Sequence, residues 1–443
     1  MSAPATPQLE QLSRQEKRRE ARRVVVSSYL GSTIEFYDFL LYATAAALVF
    51  PHVFFTGLDP LAATIASYGT FAAGYVARPL GGVVFGHFGD RLGRKKMLVL
   101  SMLVMGLASA FIGLVPPESA IGSWGAIILV TLRFLQGIAI GGEWGDAALM
   151  ALEHAEPSRR GYAASFVNAG APSGAALGTF VMGIFASLPE EQFLSWGWRV
   201  PFLFSFALLV VGLVIRARIS ESPIFRAAVE AADQQETRPK LPLWSILRRP
   251  KNVVLVMLGG AAGFALQVFM ASFAVTYAVE NGAERQPVLY AFATASLLSV
   301  GVVVLMGKVS DRVGRRPLML IGMVLFMALL QPVFAWFASA SIPLIFLAFL
   351  VGLVCHSMIY GPLAAFISEQ FGTTARYTGA SVGYQMATLL GAGFTPTIVA
   401  GLYGAEGQIG RVVLYLGVLT LVSGTAILLT RESKDIDLTT YEH

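Results

Sequence analysis

The sequence predicts an all-α polytopic membrane protein, with twelve transmembrane helices in two pseudo-symmetric halves of six. Three observations carry this reading. Of 443 residues, 55% are hydrophobic and only 13% charged, against about 25% charged in a soluble domain. The apolar residues arrive in blocks of about 20, the length a helix needs to cross a ~30 Å hydrocarbon core. A loop signature occurs twice, at Gly86–Lys96 and Gly307–Pro317, at an offset of 221.

The elements follow in order. Residues 1–23 are polar and basic (QEKRREARR), which excludes a secretory signal peptide and reads as a cytoplasmic tail lying on anionic headgroups. The first half, 24–217, holds spans at 24–51, 60–86, 97–115, 122–150, 162–188 and 199–217. The longest polar segment, 218–251, is a central cytoplasmic loop. The second half, 252–430, holds spans at 252–279, 287–307, 317–338, 342–367, 378–403 and 410–430, before a cytoplasmic tail at 431–443. With the N-terminus inside, inward-facing segments hold 27 of the 32 basic residues: all but Arg199, Arg285 and Arg411 outside, and Arg78 and Arg133 within spans. This is the positive-inside asymmetry, and it puts both termini in the cytoplasm of a protein of the cell inner membrane.

The same pass excludes several classes. The net charge of +5 is topological and implies no nucleic acid. The single Cys355 excludes an internal disulfide, and no Cys/His group has zinc-ligand spacing. "GDRLGRKK" is not G-x-x-x-x-G-K-[ST], so ATP coupling is disfavoured. No nucleophile–base or metal constellation points to an enzyme; "GAPSG" at Gly170–Gly174 is a small-residue packing and kink site on span 5. A monomer is expected.

The halves match in detail. "GHFGDRLGRKK" recurs as "GKVSDRVGRRP". Glu153 is followed by Arg160 and Ala164-Ser165, and Glu369 by Arg376 and Ala380-Ser381, at an offset of 216. Two related six-span halves are a transporter architecture. The paired G-x-x-x-D-R-x-G-R-[KR] loops resemble the signature of the major facilitator superfamily. "EFYDFLLYATAAALVF", "ARPLGGVVFGHFGDRLGRKKML", "RFLQGIAIGGEWGDAALMALEHA", "ISESPIF" and "YGPLAAFISEQF…ARYTGASVGYQ" together resemble the metabolite:H+ symporter family, nearest its shikimate-transporter-like branch. Phe36 stands where that family commonly has tryptophan, and Asp146 where it commonly has glycine. The resemblance implies import of a small organic acid or zwitterionic osmolyte with protons, in the major facilitator fold. No cofactor is implied, and the proton gradient is the energy source; the partners are lipid, a small-molecule substrate and protons.

Asp90 and Asp311 are placed to sit against neighbouring helix N-termini, where the dipole favours an anion. Arg94 and Arg315 are placed to pair with Glu153 and Glu369. The resemblance implies that such pairs hold the cytoplasmic side shut, and Arg160 and Arg376 belong to the same candidate gate. The plainer reading is a basic loop that sets topology.

Charges within the spans belong to the first half alone. Shifted by the repeat, Arg133 falls on Phe349 and Glu143 on Ile359. A charge at mid-membrane costs roughly 2.5–3.5 kcal/mol on insertion scales, so these charges read as chemistry. Asp38 lies roughly 21 Å into span 1 and Arg133 roughly 16 Å into span 4 from the opposite face, at 1.5 Å per residue. Both fall near the midplane and are expected to pair. Glu35, one turn nearer the cytoplasm, is then expected to take up the transported proton, with the two carboxylate roles exchangeable. Tyr42 lies one turn further out. A static bridge is the plainer reading, and a bidentate contact from Arg133 to a substrate carboxylate is a second role. Arg78, Glu143 and Asp146 form a candidate inner-end network. In the second half, Gln267, Tyr277, His356, Tyr360 and Gln385 are candidates to line a cavity, helix–helix hydrogen bonding being the commoner use of such residues. The leading expectation is a proton-coupled symporter importing a shikimate-like carboxylate; a proton-driven exporter is the alternative.

Overall fold

The computed structural model describes residues 14–92, 94–141, 152, 157–219, 250–372, 376–404, 406–434 and 436. Among these there is no strand, and the chain runs as twelve long helical rods. The first half holds α1 (Arg14–Leu48), α2 (Pro60–Leu92), α3 (Arg94–Ile112), α4 (Trp124–Gly141), α5 (Arg160–Ala186) and α6 (Arg199–Ile219). The second holds α7 (Lys251–Ala271, continued by Phe273–Glu280), α8 (Arg285–Val313), α9 (Arg315–Phe337) and α10 (Ile342–Glu369). It ends with α11 (Arg376–Thr388, a π-turn at Leu389–Gly393, then Thr395–Tyr403) and α12 (Ile409–Leu429). Among the described residues, nine helices are long and apolar enough to cross a membrane.

The boundaries differ from those expected in physically simple ways. α1 is described from Arg14 onward, inside the expected tail, because the Arg, Lys, Glu and Ala preceding the span are good helix formers. It stops at Leu48, and the expected remainder of the span turns off as a short helix, Phe50–Phe54, with Pro51 in its first turn. α7 is broken at Ser272 and α11 by its π-turn. Irregular backbone of this kind persists at membrane depth only where protein buries it, and Ser272 is fully buried.

Small residues set the helix contacts. A Cβ on Gly137 would collide with the Gly74 carbonyl and one on Gly141 with the Arg78 carbonyl, so α4 lies directly on α2. In the GAPSG segment, a Cβ on Gly170 would strike Ser32, and one on Gly174 the backbone of Phe36 and Tyr37. That is how α5 seats against α1. Between the halves, a Cβ on Gly161 of α5 would fall 2.7 Å from the Gly307 carbonyl of α8.

The start of α5, the end of α10 and the C-terminal segment meet at one end of the bundle, called the tail end here. There, Arg160 Nη1 donates to the Ile436 carbonyl (2.9 Å) and Ser433 Oγ to Glu369 Oε2 (2.6 Å). At the opposite end, the Glu118 carboxylate accepts from Thr56 Oγ1 (2.6 Å) and from the Thr56 and Gly57 amides. The Thr56 hydroxyl, then the backbone donors, hold this carboxyl below its ordinary range.

The halves touch at both ends. Towards the tail end, Asn168 Nδ2 of α5 donates to the Tyr360 carbonyl of α10 (2.7 Å), and Gln385 Nε2 of α11 to the Gly141 carbonyl of α4 (3.4 Å). At the other end, Thr44 Oγ1 of α1 donates to the Ala271 carbonyl of α7 (3.3 Å), and Arg285 Nη2 of α8 to the Ala186 carbonyl closing α5 (3.3 Å).

Candidate functional site

Asp38 is buried in α1 and accepts a 2.5 Å hydrogen bond from Ser205 Oγ of α6. The Ser109 hydroxyl of α3 faces the same carboxylate. Ser109 Oγ in turn accepts from Gln136 Nε2 (2.6 Å), whose Oε1 accepts from Arg133 Nη1 (3.1 Å). The expected direct pair of Asp38 with Arg133 is therefore absent among the described residues: the two charges act on each other through space and through this polar relay. The reason lies in the rings around Arg133. Its guanidinium carbon sits 3.8 Å from the Phe39 centroid, 4.2 Å from Tyr42 and 4.8 Å from Phe71. Tyr42 is held in that wall by its hydroxyl, which donates to Thr70 Oγ1 (2.7 Å). Cation–π contact in a dry site is worth about 2 kcal/mol, and here it takes the place of a counter-ion. Nε and Nη2 of Arg133 have no partner.

The partners expected for Arg78 at the inner end, Glu143 and Asp146, lie outside the described residues. The Arg78 guanidinium lies over Phe39 (4.2 Å) and Tyr75 (4.4 Å). It acts electrostatically on Tyr360 and Tyr384 in the other half. Glu35, half-buried, acts on Tyr75, Tyr360 and Tyr384 as well. The two carboxylates of α1 thus part company: Asp38 points into the first half and Glu35 towards the junction of the halves. His356 stacks on Tyr360 (4.8 Å, 23°), with its Nε2 buried and unpartnered.

The other second-half candidates disperse. Gln267 is buried on α7 and Gln385 bridges α11 to α4. Tyr277 lies away from the central tyrosines. It stacks on Phe273 (5.9 Å) and meets Phe334 and Tyr403 edge-on at the end opposite the tails.

At the tail end the second-half signature loop is an ordered charge cluster. Asp311 Oδ1 and Oδ2 accept from the Gly161 and Tyr162 amides that open α5 (2.8 and 2.9 Å). Arg315 joins Asp311 (2.7 Å) to Glu369 (3.1 Å). Glu432 caps the start of α9 by accepting from the Arg315 and Arg316 amides, both at 2.9 Å. Among the described residues, Arg160 hydrogen-bonds the Ile436 carbonyl and acts on Glu369 through space. Glu143, Asp146, Glu153 and the side chains of Asp90, Arg94 and Arg376 lie outside the described residues. Among the described residues, no group of three or more His, Cys, Asp or Glu is arranged to hold a metal.

This architecture has relatives of known fold. The sequence profile of the Major Facilitator Superfamily matches residues 29–304 and 288–440. The chain belongs to that superfamily. It is 42% identical over 426 residues to the inner membrane metabolite transport protein YhjE of Escherichia coli (strain K12), covering 93% of this chain and 94% of that one. It is 38% identical over 420 residues to the shikimate transporter of the same organism, covering 94% and 95%. With the proline/betaine transporter of Salmonella typhimurium it shares 30% over 412 residues, covering 90% and 81%. The structure of the proton:xylose symporter XylE superposes with a TM-score of 0.73 at 17% identity, over 95% of this chain and 98% of that one, which shows the shared fold.

As a superfamily member the protein is a multi-pass membrane transporter, not an enzyme. Sequence reasoning missed Ser109, Ser205 and Gln136, which complete the relay, and Glu432 and Ser433 in the tail-end cluster. Gln136 carried a signal, since it follows Arg133 by three residues and shares its helix face. A serine in an apolar helix carries none, because many serines of this bundle, such as Ser173, Ser272 and Ser357, simply bond their own helix backbone.

Proposed function

We propose that this transporter is a proton-coupled symporter importing a small carboxylated metabolite across the inner membrane, with both termini cytoplasmic. One observation carries the reading: Asp38 and Arg133 are both buried in one half, yet neither neutralises the other by direct contact. A buried charge without a paired counter-ion is costly. A proton is the counter-charge that suits Asp38, and this refines the earlier assignment of the proton to Glu35. Protonation of Asp38 leaves the field of Arg133 less compensated, which draws an anionic substrate into the half that carries it. Binding linkage makes this reciprocal: the anion favours the proton as much as the proton favours the anion. The relatives named for shikimate and proline/betaine transport handle carboxylated molecules, which supports the substrate class, and the excess of Lys and Arg on the tail side supports the orientation. The tail-end cluster, shut in this conformation, is read as the cytoplasmic gate. No cofactor beyond the proton gradient enters, and the working unit is a monomer in the lipid bilayer.

The test is uptake by proteoliposomes offered shikimate, quinate, dicarboxylates and betaine under an acid-outside pH jump. Accumulation of a carboxylate with alkalinisation of the outer medium is expected. Efflux driven by inward protons would identify an exporter, and accumulation indifferent to the pH jump would remove the proton.

A further inference from the structure

The relay leaves one cation unused. Arg78 is 3% exposed; its buried Nε has no hydrogen-bond partner, and among the described residues its guanidinium forms no ion pair. We propose that Arg78 is the receptor for the substrate's carboxylate, in a pocket walled by Phe39 and Tyr75 of the first half and by Tyr360 and Tyr384 of the second.

Four features support the assignment. A buried cation that no described carboxylate contacts directly, Glu35 sharing its surroundings only through space, favours an anion at its free edge. The Phe39 and Tyr75 rings at 4.2 and 4.4 Å hold the guanidinium by its faces, leaving its edge of N–H donors for a two-pronged grip on a carboxylate. The base of the side chain is fixed, because Gly141 of α4 packs against the Arg78 carbonyl. The position looks across to the other half, as a substrate site between two repeats must. Arg133 lacks that last property: it is fully buried within one half, ringed by Phe39, Tyr42 and Phe71, and bonded to Gln136.

The opposite wall refines the substrate class. The Tyr360 hydroxyl is buried beside that of Tyr384, and His356, stacked on Tyr360, has an unpartnered Nε2. Aromatic faces that carry hydroxyl and imidazole groups suit a cyclic carboxylate bearing hydroxyls. Phe39 also touches the Arg133 guanidinium, at 3.8 Å, and adjoins Asp38 in the chain, so one ring contacts both the receptor and the proton relay.

The inference rests on the reading of a carboxylate transporter, but its test needs no gradient. Binding of shikimate, quinate and benzoate, each beside its methyl ester, is measured on the purified full chain in detergent. Wild type is expected to prefer at least one acid over its ester. Arg78→Gln should weaken that acid roughly 10- to 100-fold, the range for a lost charge-assisted contact, and leave the ester nearly unchanged. Arg78→Lys, which keeps the charge without the fork, should fall between. A merely structural role would weaken acid and ester alike. The proposal is overturned if no acid is preferred by wild type, or if Arg78→Gln keeps the wild-type acid-to-ester ratio; should that variant not fold, an unchanged ratio in Arg78→Lys decides equally. An acid preference that depends on Arg78, without acid-driven accumulation in proteoliposomes, would sustain this inference while removing proton coupling.

Discussion

At the scale of single residues, Asp38 and Glu35 divide what first looks like one site. Three residues along a helix leave two side chains one turn apart and offset by only about 60°, and that modest offset is enough to set Asp38 against Ser205 while Glu35 acts on the tyrosines of the other half. Asp38→Asn mimics the protonated carboxyl permanently. It is expected to retain counterflow exchange, whose cycle need not release a proton, and to lose accumulation under a pH gradient. Accumulation at the wild-type level would remove Asp38 from coupling. Glu35→Gln removes an anionic charge from the surroundings of the proposed receptor and is expected to keep accumulation while flattening the pH dependence of acid binding. If it abolishes accumulation and Asp38→Asn does not, the proton belongs to Glu35. The depth match of Asp38 and Arg133 was legible in the sequence because helical rise converts residue number into depth. Their failure to touch was not: rise says nothing of which way α1 and α4 face each other, and aromatic residues are too common in spans to mark a cage around Arg133.

At the scale of elements, α5 and α8 form a charge-matched pair across the junction of the halves. Asp311 accepts from the first amides of α5, and Arg285 donates to the carbonyl of its last residue. Each charge complements the end of the helix dipole that it meets, a contribution of about 0.3–1 kcal/mol at a surface and up to ~2 when partly buried. Opening either side must break one of these contacts and keep the other. Asp311→Asn should therefore favour opening at the tail end, and Arg285→Gln at the opposite end. Ser165, buried against Gly307, provides a reporter: in a Cys355→Ser background, the thiol of Ser165→Cys should react faster with a maleimide when Asp311→Asn is added and no faster with Arg285→Gln. Transport should slow with little change in substrate affinity, since neither residue touches the pocket. A large affinity loss with unchanged maximal rate would place Asp311 in the binding site instead. The aspartate was legible because its loop repeats; Arg285 was readable only as an outside charge, since its partner is a backbone carbonyl, which no side-chain pattern announces.

At the scale of the whole molecule, the two halves were legible as a repeat, and their closure against each other at both ends was not. A repeat fixes which helices correspond, whereas alternating access needs one sequence to support more than one packing of the same halves. What holds this packing at the tail end includes a segment that reads as a featureless polar tail. Glu432 caps the start of α9, Ser433 bonds Glu369, and the Ile436 carbonyl accepts from Arg160 of the other half. Ending the chain at Thr430 removes all three contacts and leaves Glu369 held by Arg315 alone among the described residues. The tail-end cluster should then open more readily, and the Ser165→Cys reporter should react faster than in the full chain. Acid binding should be nearly unchanged, because Arg78 and its aromatic walls are untouched. Glu432→Ala in the full chain is expected to reproduce part of the effect through loss of the cap, a change of about 0.5–2 kcal/mol, and it serves where the shortened chain does not fold. Equal labelling of the full chain, the truncation and Glu432→Ala would mean that the C-terminal segment rests on the gate without holding it shut.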